Sequence, residues 1–176
     1  IVGAPEKVLE LCKNIWHKNG AETLSGEKKK ELESVFHKLA QIGFRVVAYA
    51  INQDTGRSVD GNLPDGKAGA IPPLTFVGFF GMNDALRPEV KEAMQRVRAA
   101  DMRVVMITGD HRLTAQAIAK EADIWREGDG VLTGEEIDKM SDDELKGLLT
   151  RTSVFARVTP DHKLRIIQAY RQRGEI

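Results

Sequence analysis

Apolar positions along the chain follow two rhythms, one of threes and fours and one of short, nearly unbroken runs. Pro5 stands where a first helical residue belongs, and Val8, Leu11, Cys12, Ile15 and Trp16 follow at spacings of three and four. That spacing predicts one helix with a single apolar stripe. Leu32, Val35, Phe36 and Leu39 repeat it in a second helix from about Ser25 to Ile42, which Gly43 would end. Phe44 to Ile51 is almost continuously apolar and β-prone, so it reads as a buried strand. Asn52 to Pro73 is rich in Gly, Asp, Asn and Pro and reads as a loop; Leu74 to Gly81 reads as another strand.

From Asp84 onward, strands and helices alternate. Pro88 opens a helix carrying Val90, Met94 and Val97, then Arg103 to Ile107 is a short strand. A turn at Thr108-Gly109-Asp110 leads into an Ala-rich helix ending near Ala122. Thr133 with Glu136, and Ser141 with Glu144, have the spacing of capping boxes, each opening a short helix. Ser153 to Ala156 is a strand, and Pro160 starts the last helix, with Leu164, Ile167 and Tyr170 on its buried side. This order implies parallel pairing with right-handed crossovers. The change of rhythm near Asn83-Asp84 predicts a boundary between residues 1–83 and 84–176.

Composition narrows the class. The 176 residues, 41% hydrophobic and 30% charged, have the balance of a folded globular chain and not a disordered one. Basic and acidic residues number 26 each, 10 against 9 up to Asn83 and 16 against 17 after it. Neither part has the basic surplus of a nucleic-acid surface, and no nucleic-acid partner is expected. Cys12 is the only cysteine, so an intrachain disulfide is excluded and a reducing compartment is the natural reading. The most apolar run, residues 71–82, is broken by Pro72, Pro73, Gly78 and Gly81, well short of the roughly 18 to 20 apolar residues that span a bilayer. The chain starts at Ile1 without a basic leader and stops just after an apparent helix, which predicts a piece of a longer protein.

Two segments carry chemistry. Val104 to Asp110 is a buried strand running into Thr-Gly-Asp and then a helix. This puts a hydroxyl, a flexible backbone and a carboxylate at the carboxyl edge of a parallel sheet, where open α/β folds bind ligands and helix starts attract phosphate. Thr108 would hydrogen-bond a phosphoryl oxygen, Gly109 would let the backbone come close, and Asp110 would orient a water, a cation or a neighbouring loop. The same residues also suit a plain helix cap. In the second segment, Phe155 to Lys163, a strand ends and Pro160 fixes a helix start with Lys163 in its first turn. A cation there opposes the helix dipole unless it neutralises a bound anion. His17, His37, His111 and His162 have no zinc-site spacing. His111 and His162 read as solvent-facing residues near helix caps, and Trp16 and Trp125 as packing anchors.

Met106-Ile-Thr-Gly-Asp110 with Thr114-Ala-Gln-Ala-Ile118, and Phe155-Ala-Arg-Val-Thr-Pro-Asp-His-Lys163, closely resemble motifs of P-type cation-transporting ATPases. Upstream, Gly3-Ala-Pro-Glu6 is similar to the end of that family's Lys-Gly-Ala-Pro-Glu motif. Phe44-Arg-Val-Val-Ala48 resembles a strand whose arginine contacts ATP phosphates, and Asp84-Ala-Leu-Arg87 resembles the inter-domain hinge Asp-Pro-Pro-Arg. The likeness runs in order along nearly the whole chain and is closest to type II pumps, calcium pumps above all. It implies an α/β fold: a Rossmann-like, haloacid-dehalogenase-type phosphorylation domain (84–176) following a truncated α+β nucleotide-binding domain (1–83).

The resemblance also implies roles. Thr108 would hold the transferred phosphoryl group and Lys163 would neutralise it. Gly109 would allow close approach, Asp110 and Arg87 would contact nucleotide, Arg45 would reach the ATP phosphates, and Arg157 would support the same site. ATP and Mg²⁺ would be the ligands. The transported cation would bind transmembrane segments outside this chain, which itself would lie on the cytoplasmic side of the membrane. No metal ligand is expected among these residues. The nucleophilic aspartate of the Asp-Lys-Thr-Gly-Thr motif would lie upstream of Ile1, and the Mg²⁺ carboxylate motif just past Ile176, so the chain alone is expected to be inactive. Val2 stands in place of a lysine of the adenine site, and Ala85 and Leu86 replace two hinge prolines. A non-catalytic nucleotide-binding module and a soluble phosphatase of the same superfamily are the alternatives. The phosphatase lacks its Asp-x-Asp nucleophile motif here.

Overall fold

The first helix is shorter than its apolar stripe. In the computed structural model, which describes residues 1–52 and 73–175, helix α1 covers Pro5–Leu11 and the chain turns extended at Cys12. Cys12–His17 is strand β2, not helix. The spacing of three between Cys12 and Ile15 comes from a register shift, a bulge-like irregularity, between Cys12 and Asn14. An inserted residue reverses the alternation of faces, so residues three apart both point into the core. A bulged strand thus imitates the helical period. Trp16, expected as a packing anchor, is 46% exposed on this strand.

The chain divides into two units, residues 1–39 with 46–82, and residues 40–45 with 83–176. In the first unit, β1 (Val2–Gly3), β2, β3 (Gly20–Thr23), β4 (Arg45–Ile51) and β5 (Leu74–Met82) form a sheet ordered β1-β4-β5-β2-β3. Helix α2 spans Gly26–Gln41. β2 pairs parallel with β5 and antiparallel with β3. Val8, Leu9, Cys12, Ile15, Ala48, Ala50, Leu74 and Phe76 make the core, with Leu24, Leu32 and Phe79 packed against it. β4 alternates buried and exposed positions, so the apolar run read as a fully buried strand covers one face only. The expected loop at residues 52–73 lies, except for its two end residues, outside the described residues.

The second unit carries helix α3 (Glu89–Ala99) and a parallel three-stranded sheet: β6 (Met106–Ile107), β7 (Gly130–Thr133) and β8 (Thr152–Ala156), ordered β6-β8-β7. The parallel pairing is as expected, but only two residues of the segment from Arg103 join a ladder, and β7 had no sequence signal. β8 is buried along its whole length. Its side chains alternate between two cores. Phe155 joins Ile137, Leu145, Leu149, Ile166, Ala169 and Tyr170, on helices α5 (Gly134–Asp138), α6 (Asp142–Leu149) and α7 (Pro160–Gln172). Val154 and Ala156 join Val131 and the small residues Ala115 and Ala119 of α4 (Arg112–Glu121). A sheet covered on both faces by helices is a three-layer α/β arrangement. On α7 the buried residues are Ile166, Ala169 and Tyr170, whereas Leu164 is 59% exposed. Both expected capping boxes are present, with the Glu136 and Glu144 carboxylates returning to the Thr133 and Ser141 amides.

Candidate functional site

Because β6, β8 and β7 are parallel neighbours, their carboxyl ends emerge at one edge of the sheet. Ile107 pairs with Phe155, and Thr133 with Ala156, so the residues that follow are Thr108, Gly134 and Arg157. Backbone hydrogen bonds continue the β6–β8 ladder beyond the strands. The Thr108 amide donates to the Phe155 carbonyl at 2.9 Å, the Val158 amide to the Thr108 carbonyl at 3.2 Å, and the Arg157 amide to the Asp110 carbonyl at 3.0 Å. Arg157 reaches this geometry with φ of 54°, a left-handed conformation uncommon for a residue with a side chain. The Thr-Gly-Asp turn and the turn before α7 are therefore one hydrogen-bonded structure.

Within it, the Thr108 hydroxyl donates to Asp110 Oδ2 at 2.9 Å and accepts from the Asp110 amide at 3.1 Å. Asp110 Oδ1 lies 3.2 Å from Arg45 Nε, an ion pair at the surface of the same unit. His111, not Thr108 or Asp110, is the N-cap of α4, its Nδ1 accepting from the Leu113 amide at 3.2 Å. A side chain built at Gly109 would meet no protein atom within 4 Å, so the turn opens outward on that residue. α4 is seated by Thr114, whose buried hydroxyl donates to the Phe44 carbonyl at 2.9 Å.

Lys163 is exposed in the first turn of α7, its amide bonded to the Thr159 carbonyl. α7 is capped by Thr159, and the third residue of its box is His162, whose Nδ1 accepts from the Thr159 amide at 3.0 Å. His162 is not a solvent-facing residue. Its side chain is 12% exposed and its Nε2 sits 2.7 Å from Asp138 Oδ1. Arg87 is exposed just ahead of α3, its carbonyl accepting from the Val90 amide. The site thus brings together Arg45, Thr108, Gly109, Asp110 and the backbone of Arg157, with Lys163 at the start of the next helix.

Residues behind the site gave no individual sequence signal. Glu136 accepts from Arg112 at 2.8 Å, from the Thr133 amide at 2.7 Å and from the Thr133 hydroxyl at 2.9 Å. Burial pushes its carboxyl up, but these hydrogen bonds outweigh that and hold it below the usual glutamate range. Arg165 donates to Asp142 and to the Ile137 carbonyl, both at 2.7 Å, joining α7 to α5 and α6. The Thr133–Glu136 spacing was the only local trace of this layer.

Among the described residues no cluster of three or more His, Cys, Asp or Glu could hold a metal ion. Both oxygens of Asp110 already face Thr108 and Arg45. These residues alone do not make a Mg²⁺ site. Among the described residues, no helix is long and apolar enough to cross a membrane.

Comparison with known proteins places this arrangement in a class. The family model for P-type ATPase, cytoplasmic domain N, matches residues 1–89. The chain belongs to the P-type ATPase family. Its relatives include a calcium-transporting ATPase of Bacillus subtilis, 35% identical over 99% of this chain and 19% of that protein. Calcium-transporting ATPase 1 of Bacillus cereus is 36% identical over 99% of this chain and 19% of its own length. The Saccharomyces cerevisiae calcium-transporting ATPase 1 is 35% identical over 100% of this chain and 18% of its own length. The chain spans about a fifth of the length of these relatives.

Proposed function

We propose that this chain is the segment of a membrane cation pump in which the nucleotide meets the phosphorylation machinery. Residues 1–83 would be the last part of the nucleotide-binding domain, and residues 84–176 most of a haloacid-dehalogenase-type phosphorylation domain. The observation that carries this reading is the joined pair of turns, Val158 to Thr108 and Arg157 to Asp110, standing at the ends of adjacent parallel strands. The parallel sheet with helices on both faces and the run of relatives along the whole chain support it.

The substrate is ATP, and the work of the site is positioning and charge neutralisation. The Thr108 hydroxyl exchanges Asp110 for an equatorial oxygen of the phosphoryl group, and the open face at Gly109 admits it. Lys163 supplies a positive charge on the neighbouring turn. Asp110 and Arg87 bind the nucleotide, Arg45 reaches its phosphates, and Arg157 supports the same site. Mg²⁺ would supply neutralisation of phosphate charge, and the described residues do not form a site for it. The acceptor is an aspartate outside this chain, which holds no Asp-Lys-Thr-Gly-Thr motif. The isolated 176 residues therefore form no phosphoenzyme. In the whole protein the energy of the aspartyl-phosphate drives a cation, calcium by the names of the relatives, across the membrane from the cytoplasmic side.

Grafting this chain into the Bacillus subtilis relative in place of its matching stretch tests the reading. Hydroxylamine-labile labelling from γ-labelled ATP is expected, and Lys163→Ala or Thr108→Ala in the graft should reduce it about a hundredfold, the scale of a lost charge-stabilising group. A labelled graft indifferent to both substitutions would contradict the assignment. A non-catalytic nucleotide-binding module is the second reading, favoured for the isolated chain by its lack of a nucleophile motif. Nucleotide-dependent shifts with no labelling of the graft would support it.

A further inference from the structure

We infer that His162 is a positioning residue for the candidate site, acting through α5 rather than on the substrate. The inference rests on the assignment of Thr108 and Lys163 above. Its starting point is Gly134. A Cβ placed there would lie 2.5 Å from the Arg157 carbonyl oxygen and 2.7 Å from both Cε1 and Nδ1 of His162. Those separations are too short for any real Cβ contact, so only glycine lets α5 begin against both the Arg157 turn and the His162 ring.

The ring is held at two further points. Nδ1 accepts the Thr159 amide at 3.0 Å, and Nε2 meets Asp138 Oδ1 at 2.7 Å. An amide can donate only to an unprotonated ring nitrogen, so the proton of the neutral imidazole resides on Nε2, which donates it to the carboxylate. Gly134 and Asp138 are the first and last residues of α5. The imidazole therefore bridges both ends of that helix to the first turn of α7. Arg157 meets this junction through its carbonyl, and Lys163 follows His162 directly in α7.

The Arg157 and Val158 amides donate to the Asp110 and Thr108 carbonyls from a backbone held at positive φ, which needs external support to persist. The start of α5 at Gly134, set close against both the Arg157 carbonyl and the His162 ring, is that support. A capping box ordinarily has Glu or Gln as its third residue. Either would complete the cap, but Glu offers Asp138 a carboxylate where His162 offers a proton donor. The histidine combines both functions.

The test uses amide hydrogen exchange and NMR on the 176-residue chain and four variants. Asp138→Ala removes an exposed partner without touching the core, so it keeps the question open should His162→Ala fail to fold. In both variants, protection at Arg157 and Val158 is expected to fall about tenfold while Val154 and Phe155 in β8 hold theirs. His162→Gln, whose amide can accept from Thr159 and donate to Asp138, should restore it. Ring ¹⁵N shifts of the wild type should mark Nδ1 as unprotonated and Nε2 as protonated. The opposite tautomer, unchanged protection in Asp138→Ala, or equal losses throughout β8 would overturn the inference. Lys163→Ala should leave protection intact. If Lys163→Ala also leaves a titration with inorganic phosphate unaltered at Thr108 and Gly109, the functional assignment fails while the His162 bracket stands.

Discussion

Single residues at the candidate site are held under constraint, and the constraint can be read from what each would lose. Gly134 has no room for a Cβ because the nearest obstacle is the Arg157 backbone, which cannot swing aside like a side chain. Gly134→Ala is expected to destabilise the chain by about 1–3 kcal/mol, the usual cost of forcing a group into a packed site, measurable by chemical denaturation. Glu136 gives a pH signature. Its folded-state affinity for protons is lowered, so its contribution to stability is present above the ordinary glutamate value of about 4.3 and is lost as pH falls through the lower folded value. Melting points taken from pH 6 downward should drop below about pH 4.5, and Glu136→Gln should flatten part of that slope. A slope unchanged in the variant would remove Glu136 from the account. Lys163, exposed at the positive end of α7, contributes little to the fold, and its replacement by Ala should move stability by less than about 0.5 kcal/mol.

Elements were legible where local chemistry alone decides them. The Thr133–Glu136 and Ser141–Glu144 boxes were visible as spacing because both ends lie within one turn. The third box, at Thr159, was hidden because His162 replaces the customary Glu or Gln. Helix α1 was overdrawn because a shifted register in β2 places Cys12 and Ile15 on one face at a helical interval. The segment Gly130–Thr133 is a strand only because β8 offers it a parallel edge, which no local pattern announces. Of the site, the strand-end residues Thr108 to Asp110 were legible, whereas the layer of Arg112, Gly134, Glu136 and Asp138 depends on contacts more than 20 residues apart. Thr133→Ala removes the hydroxyl end of its box and is expected to cost about 1 kcal/mol. Calorimetry that found no loss would mean α5 is fixed by packing alone.

At the scale of the molecule, the net charge is zero and, among the described residues, three hydrophobic cores form, one in the first unit and one on each face of the second unit's parallel sheet. Its family membership comes from the match over residues 1–89 and from calcium-transporting relatives that align along the whole chain. The most direct measurement is an NMR titration of the 176-residue chain with Mg²⁺·ATP, following the amides of Thr108, Gly109, Asp110 and Lys163 beside those of Lys163→Ala. Saturable shifts clustered on these amides are expected at near-millimolar ligand, corresponding to about −4 kcal/mol, with binding weakened about tenfold or more in the variant. Shifts confined to other residues, or identical titrations of the two proteins, would contradict the proposed function.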